Sequence, residues 1–319
     1  MKLSEIDFFP YVFRRTKSAC ATLFTFMIPI SIIIHVIQLL GWLEPISSVL
    51  EPVMRIVGLP AQMALVWLTA MVVNIYGGFL ALFAIYPNMP PLTSAQLTVF
   101  CVMTLIAHTF PIELMVSKKT GIRISVMFLI RFGFAVIAGI LLNQLYSLSN
   151  TLQDPVSFML AAPEHAVGWG EWALNELKNY AVITCVIFSL VSLLRILELT
   201  GAITVVNKCM ASALGWLRIG PEVLTLTVLG LTFGIAYGGG LMIEETKRSQ
   251  LPPRDIFYSM TLMGLFHSII EDTILMLSMG GHWTGVLIFR PVFAFIITYL
   301  IVVFTQNIPD KTITRICMR

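Results

Sequence analysis

Apolar runs of about 20 residues or more recur along the chain, beginning near Ser18, Pro60, Thr93, Ile122, Lys178, Pro221, Ile256 and Thr284, each long enough to cross a hydrocarbon core of roughly 30 Å. With so many such runs in 319 residues, little polar sequence remains to face water. Only 12% of the residues are charged, against roughly 25% in an ordinary soluble domain. The chain is therefore expected to be an all-α polytopic membrane protein. Its first run follows Arg14, Arg15 and Lys17, but it is too long for a secretory core and lacks a small-residue cleavage site, so it is expected to remain as a helix.

The formal charge of +3 is spread along the chain, leaving no basic face for nucleic acid, which is excluded as a partner. Cys20, Cys101, Cys185, Cys209 and Cys317 stand alone, without C-x-x-C spacing, and suggest neither a disulfide frame nor a zinc site. No H-E-x-x-H, Walker A, dinucleotide or G-x-S-x-G pattern occurs. No enzyme activity and no cofactor are expected.

Rare polar residues repeat in register. Pro60 precedes Tyr76-Gly77-Gly78-Phe79-Leu80 by the same spacing as Pro221 precedes Tyr237-Gly238-Gly239-Gly240-Leu241, at an offset of 161 residues. His108-Thr109 and Glu113 answer to His267-Ser268 and Asp272, and Arg131-Phe132-Gly133-Phe134-Ala135 answers to Arg290-Pro291-Val292-Phe293-Ala294, at an offset of 159. Gly41 and His35 align with Gly201 and Arg195 at 160. General hydrophobicity does not explain the recurrence of a His, an acid and an Arg, all costly in a membrane. The chain reads as two repeats, 1–147 and 179–319, joined by an external connection at 148–178.

The basic residues choose the topology. Eight simple crossings strand either Lys118, Lys119 and Arg123 or Arg14, Arg15, Lys17, Lys247, Arg248 and Arg254 on the outside, against the positive-inside rule. If Pro60–Tyr86 and Pro221–Glu244 are instead re-entrant hairpins, these residues all become cytoplasmic, as do both termini. Only Arg55, Lys178, Arg131 and Arg290 then lie elsewhere. Each repeat has three crossings and one hairpin, and the odd number inverts the second repeat. The expected location is a bacterial-type cytoplasmic membrane. Glycine at the tips would permit positive φ and close backbone approach.

Intramembrane ionisable groups are candidate functional residues. Pro111 is expected to break the third span just after His108 and Thr109, with Glu113 following; Glu271 and Asp272 follow His267 and Ser268 in the same way. Counting about 1.5 Å per residue from the span ends places His108 level with Arg131, about 12–13 Å from the cytoplasmic side, and Asp272 level with Arg290, about 9–10 Å from the outer side; His108, Glu113, His267, Glu271 and Asp272 are expected to face one water-accessible cavity. Histidine titrates near neutral pH and is suited to carrying a coupling proton. Asn74, Tyr76, Gly77, Gly78, Tyr237, Gly238 and Gly239 complete the expected binding surface. A lone His35 in an apolar span reads as a packed residue. Histidine plus acid could hold a metal, but the spacing specifies none and no metal site is assigned.

The Pro60…Asn74-Ile75-Tyr76-Gly77-Gly78 and Pro221…Ala236-Tyr237-Gly238-Gly239-Gly240 segments, followed by the segments with Glu113 and with His267, Glu271 and Asp272, resemble the nucleoside-recognition, or Gate, domain family. That module is shared by concentrative nucleoside transporters, the membrane part of ferrous-iron transporter B and spore-maturation membrane proteins. The resemblance spans nearly the whole chain as two copies. It implies helical hairpins whose tips meet partly unwound helices at mid-membrane, with substrate between them. The expected function is ion- or proton-coupled transport of a small polar solute, the alternative being a non-transporting partner or scaffold subunit. The coupling ion, proton or sodium, is unassigned. Expected partners are the lipid bilayer and the solute, with a homo-oligomer left open.

Overall fold

The computed structural model describes residues 8–40, 51–156, 169–202, 205, 208, 214–217, 219–235, 243 and 251–318. Its elements are helical: α1 (Phe8–Leu39), α2 (Met63–Val72), α3 (Ile75–Ile85), α4 (Ser94–Ile106), α5 (Phe110–Lys119), α6 (Ile124–Ser149), α7 (Trp169–Leu199), α8 (Pro221–Phe233), α9 (Pro253–Leu265), α10 (Glu271–Ser278), a π-helical turn (Thr284–Phe289), α11 (Arg290–Thr305) and α12 (Asp310–Cys317). Among the described residues, four segments are long and apolar enough to cross a membrane: 94–119, 124–149, 169–197 and 284–305. The chain is an all-α polytopic membrane protein. On α6, Ile137, Leu141 and Leu145 stand exposed one turn apart, as do Val292, Ile296, Leu300 and Phe304 on α11. These rows face outward as lipid-contacting stripes would.

Residues 63–85 do not form one span. Val73 leaves helical geometry, and Asn74, in extended conformation, accepts a bond from the Gly77 N–H at 2.8 Å and so caps α3. The chain turns back so tightly that a Cβ on Gly78 would lie 2.7 Å from the Ala70 Cβ and 3.4 Å from the Val66 carbonyl. This is the expected hairpin. Gly77 and Gly78 do not supply positive φ, however; they are helical, and Gly78 serves the close approach alone. In the second repeat Gly234, with φ of 96°, ends α8, and Tyr237, Gly238 and Gly239 lie outside the described residues.

The two repeats are related by a two-fold axis that lies across the helices. Cys20 meets Thr184 (Sγ–Oγ1 3.9 Å) and Phe24 meets Tyr180 (ring centroids 5.1 Å). At the 160-residue offset Cys20 corresponds to Tyr180 and Phe24 to Thr184, so these are one contact seen twice. Towards the ends, His35 packs against Trp169 and Trp172 (4.7 and 4.8 Å), while its counterpart Arg195 lies over Tyr11 (4.4 Å). Early residues of α1 thus meet late residues of α7, and the equivalent helices are antiparallel. An axis that exchanges antiparallel helices inverts one repeat relative to the other. It passes again between Phe134 and Phe293 (6.3 Å) and between His108 and His267 (5.0 Å), each residue facing its own counterpart. We expect a Thr184→Cys variant to form a disulfide with Cys20 under mild oxidation, since the side chains are within disulfide reach. With a protease site engineered into 157–168, the halves should stay linked until reduced; fragments that separate without reductant would refute the antiparallel contact.

Helix α6 runs to Ser149 and α7 begins at Trp169, while Leu152, Asp154 and Val156 bond back to the chain at Ala95, Ser94 and Leu92. Trp169 and Trp172 spend part of their surface clasping His35, which accounts for that histidine as a packed residue.

Candidate functional site

Two helices are interrupted at equivalent points. Helix α4 ends at Ile106, and Thr109 adopts left-handed geometry (φ 49°) before α5 begins; α9 ends at Leu265, and Ser268 does the same (φ 47°) before α10. Left-handed backbone costs a non-glycine residue roughly 1–2 kcal/mol, so both breaks are held by surrounding structure. Pro111, four residues after Ala107, stands where it stops α4 from continuing through the break. It sits in the first turn of α5, where its missing N–H is no loss, and the second break occurs without proline. Neighbouring helices hold the breaks open: the Thr109 N–H donates to the Ala70 carbonyl of α2 (3.0 Å), and the Ile269 N–H donates to the Leu231 carbonyl of α8 (2.9 Å). Backbone freed from a helix inside a membrane needs such a partner.

The breaks bring His108, His267, Glu113 and Asp272 together on the two-fold axis. The His108 and His267 Nε2 atoms are 3.3 Å apart, and Glu113 Oε1 lies 3.4 Å from the first and 3.3 Å from the second. Asp272 Oδ2 is 3.8 Å from His108 Nε2. Each histidine uses Nδ1 on the carbonyl four residues earlier, Thr104 for His108 (2.8 Å) and Met263 for His267 (2.7 Å). Both imidazoles and Glu113 are buried, whereas Asp272 keeps 14% of its side chain exposed. Glu113 and Asp272 lie in the first turns of α5 and α10, where the positive end of a helix favours a carboxylate.

The arginines bind the ends of the broken helices. Arg131 Nε and Nη2 donate to the carbonyls of Ile106 and His108 (2.9 and 3.2 Å), and its Nη1 pairs with Glu113 Oε2 at 2.5 Å. Arg290 Nη2 donates to the carbonyls of Leu105 and His267 (3.2 and 2.9 Å), but its Nε and Nη1 are buried without a hydrogen-bond partner. The two repeats therefore differ. Arg131 is ion-paired with the acid of its own repeat, whereas Arg290 feels Asp272 electrostatically without forming an ion pair within 4 Å. The two pairs read at separate depths, His108 with Arg131 and Asp272 with Arg290, lie around one cluster.

The other expected residues have different roles. Asn74 is spent on the α3 cap, and Gly77 supplies the N–H it receives. Tyr76 is half-buried and within electrostatic reach of Glu271 and Asp272. Ser268 supplies the left-handed backbone, and its carbonyl accepts the Asp272 N–H at 3.2 Å. Glu271 is exposed and within reach of Arg15, not part of the cluster. Sequence spacing assigned no metal site because the ligand-type atoms that converge, from His108, Glu113 and His267, come from both repeats.

No family model matches the chain, and no solved structure matches it. The chain is similar to the uncharacterized membrane protein YvoD of Bacillus subtilis (strain 168), at 23% identity over 283 residues that cover 88% of this chain and 89% of that protein. The likeness to a membrane protein therefore takes in residues of both repeats.

Proposed function

We propose that this membrane protein is a secondary transporter for a small polar solute, coupled to an ion or proton, with the solute bound between the broken helices and the hairpins that hold them open. The observation that carries this reading is the His108–His267–Glu113–Asp272 cluster, built at the axis of two inverted repeats. In such an arrangement each repeat can adopt the other's conformation, which exchanges the open side. The unequal arginines suit that exchange. In the conformation described, Arg131 holds Glu113 and Arg290 has no ion pair among the described residues; in the opposite one Arg290 would hold Asp272 and Glu113 would be released. A nucleoside-like solute, in keeping with the sequence resemblance, belongs in the first panel tested.

The burial of the cluster favours a second reading, a non-transporting partner subunit whose polar centre only fixes helix register. Purified protein reconstituted into vesicles separates the two. We expect time-dependent uptake of at least one labelled member of a panel of nucleosides, organic anions and metal ions, and at least about tenfold slower uptake for His267→Gln. No flux above empty vesicles for any panel member would favour the subunit reading.

A further inference from the structure

The histidine hydrogen bonds determine what the centre of the cluster lacks. A carbonyl oxygen cannot donate, so Nδ1 of His108 and Nδ1 of His267 carry the hydrogens that bond to Thr104 and Met263. With a single hydrogen on each ring, at Nδ1, both Nε2 atoms present lone pairs, to each other at 3.3 Å and to a carboxylate oxygen at 3.4 and 3.3 Å. Three acceptors facing one another without a donor between them repel. A cation at their centre removes the conflict.

The dimensions identify the class of cation. Ligand atoms about 2.05 Å from a tetrahedral metal ion are separated by about 1.63 times that distance, or about 3.35 Å. The triangle of His108 Nε2, His267 Nε2 and Glu113 Oε1 has edges of 3.3, 3.4 and 3.3 Å. Asp272 Oδ2 lies 3.8 Å from His108 Nε2, and closing on the other two ligand atoms as well would put it at the fourth vertex of such a site. We propose that this cluster binds one divalent transition-metal cation through His108, His267 and Glu113, with Asp272 or water as fourth ligand, and that the cation is the transported solute. The identification of cargo rests on the transporter reading; the binding site does not.

The supporting shell is also in place. Ligand histidines characteristically donate the other ring N–H to a carbonyl, and ligand carboxylates are themselves hydrogen-bonded or paired; here Thr104, Met263 and Arg131 take those roles. Imidazole with carboxylate suits zinc, iron, cobalt or nickel, whereas calcium and magnesium prefer oxygen ligands throughout. The charge balance sets the strength. Glu113 is shared with Arg131, and Asp272 lies in the field of Arg290, so the site offers a divalent ion less negative charge than a structural centre would. Cargo must leave as well as enter, and moderate affinity fits that requirement.

The test is equilibrium binding of Zn²⁺ and Co²⁺ to the chelator-treated full chain in detergent, read by calorimetry and by the visible spectrum of Co²⁺. We expect one ion per chain and a four-coordinate cobalt spectrum. Affinity should fall more than about 100-fold in His267→Gln and in Glu113→Gln, beyond the loss typical of a supporting residue, and stay unchanged in Tyr146→Phe. Each variant is compared with the wild type by gel filtration, and the two variants guard against misfolding of either. No saturable binding by the folded wild type, a six-coordinate spectrum, or unchanged affinity in both cluster variants would overturn the proposal, leaving the triangle to a shared proton. Vesicle uptake of the same ions is scored separately: binding without flux upholds the site and removes the transporter reading, whereas flux of another solute without metal binding does the reverse.

Discussion

Replacing Arg131 by methionine should destabilise the protein by about 3–5 kcal/mol, the loss expected when one partner of a buried pair is removed and the other charge is left behind. The stranded charge is Glu113, only 6% exposed, and the carbonyls of Ile106 and His108 lose their donors in the same step. Adding Glu113→Gln should recover much of the loss, because a neutral amide at that position no longer needs a cation. Arg290→Met provides the contrast. It also removes bonds to two carbonyls, at Leu105 and His267, but it eliminates two buried N–H groups that have no partner, and the acid nearest it keeps some contact with the surface. Its expected cost is about 1–3 kcal/mol. Reversible unfolding in mixed micelles measures both. Equal losses for the two arginines would show that the Glu113 ion pair contributes nothing beyond what the two repeats share.

How much of this was legible in the sequence depended on whether the cause was local. The repeat was legible because a His, an acid and an Arg are rare in apolar spans, and their order survives where the surrounding Leu, Ile and Val carry no register. The first hairpin was legible in Lys118, Lys119 and Arg123, whose position conflicts with an extra crossing. Partner choice was not. Counting along a regular helix set His108 and Asp272 at separate depths, yet the chain leaves the helix at Ala107 and Phe266 in extended geometry (φ −130°, ψ 84° and φ −147°, ψ 79°), and extended backbone advances further per residue than a helix does. The left-handed residues carry no sequence mark either, since a threonine and a serine hold a geometry usually given to glycine or asparagine. Glu271 and Asp272 illustrate the same limit. They are neighbours in sequence, but adjacent helical positions point about 100° apart, so one enters the cluster and the other faces outward towards Arg15.

The double replacement Ala70→Gly with Gly78→Ala tests the hairpin on which the first break depends. Alone, Gly78→Ala should cost about 1–3 kcal/mol, because the new methyl would sit 2.7 Å from the Ala70 Cβ and 3.3 Å from its Cα, and neither atom belongs to a flexible side chain that can swing aside. Removing the Ala70 methyl clears the shorter contact, so the pair should be more stable than the sum of the single changes by about 0.5–3 kcal/mol, the range for residues in contact. In a continuous spanning helix residues 70 and 78 would be about 12 Å apart and their changes would simply add. A coupling near zero would therefore remove the hairpin and, with it, the reason Thr109 leaves the helix. The consequence for binding is direct. Ala70 supplies the carbonyl that takes the Thr109 N–H, and Thr109 is the residue that turns His108 towards His267. The single variant Gly78→Ala should accordingly weaken Zn²⁺ binding, although no atom of either residue reaches the metal site, and the double variant should restore it.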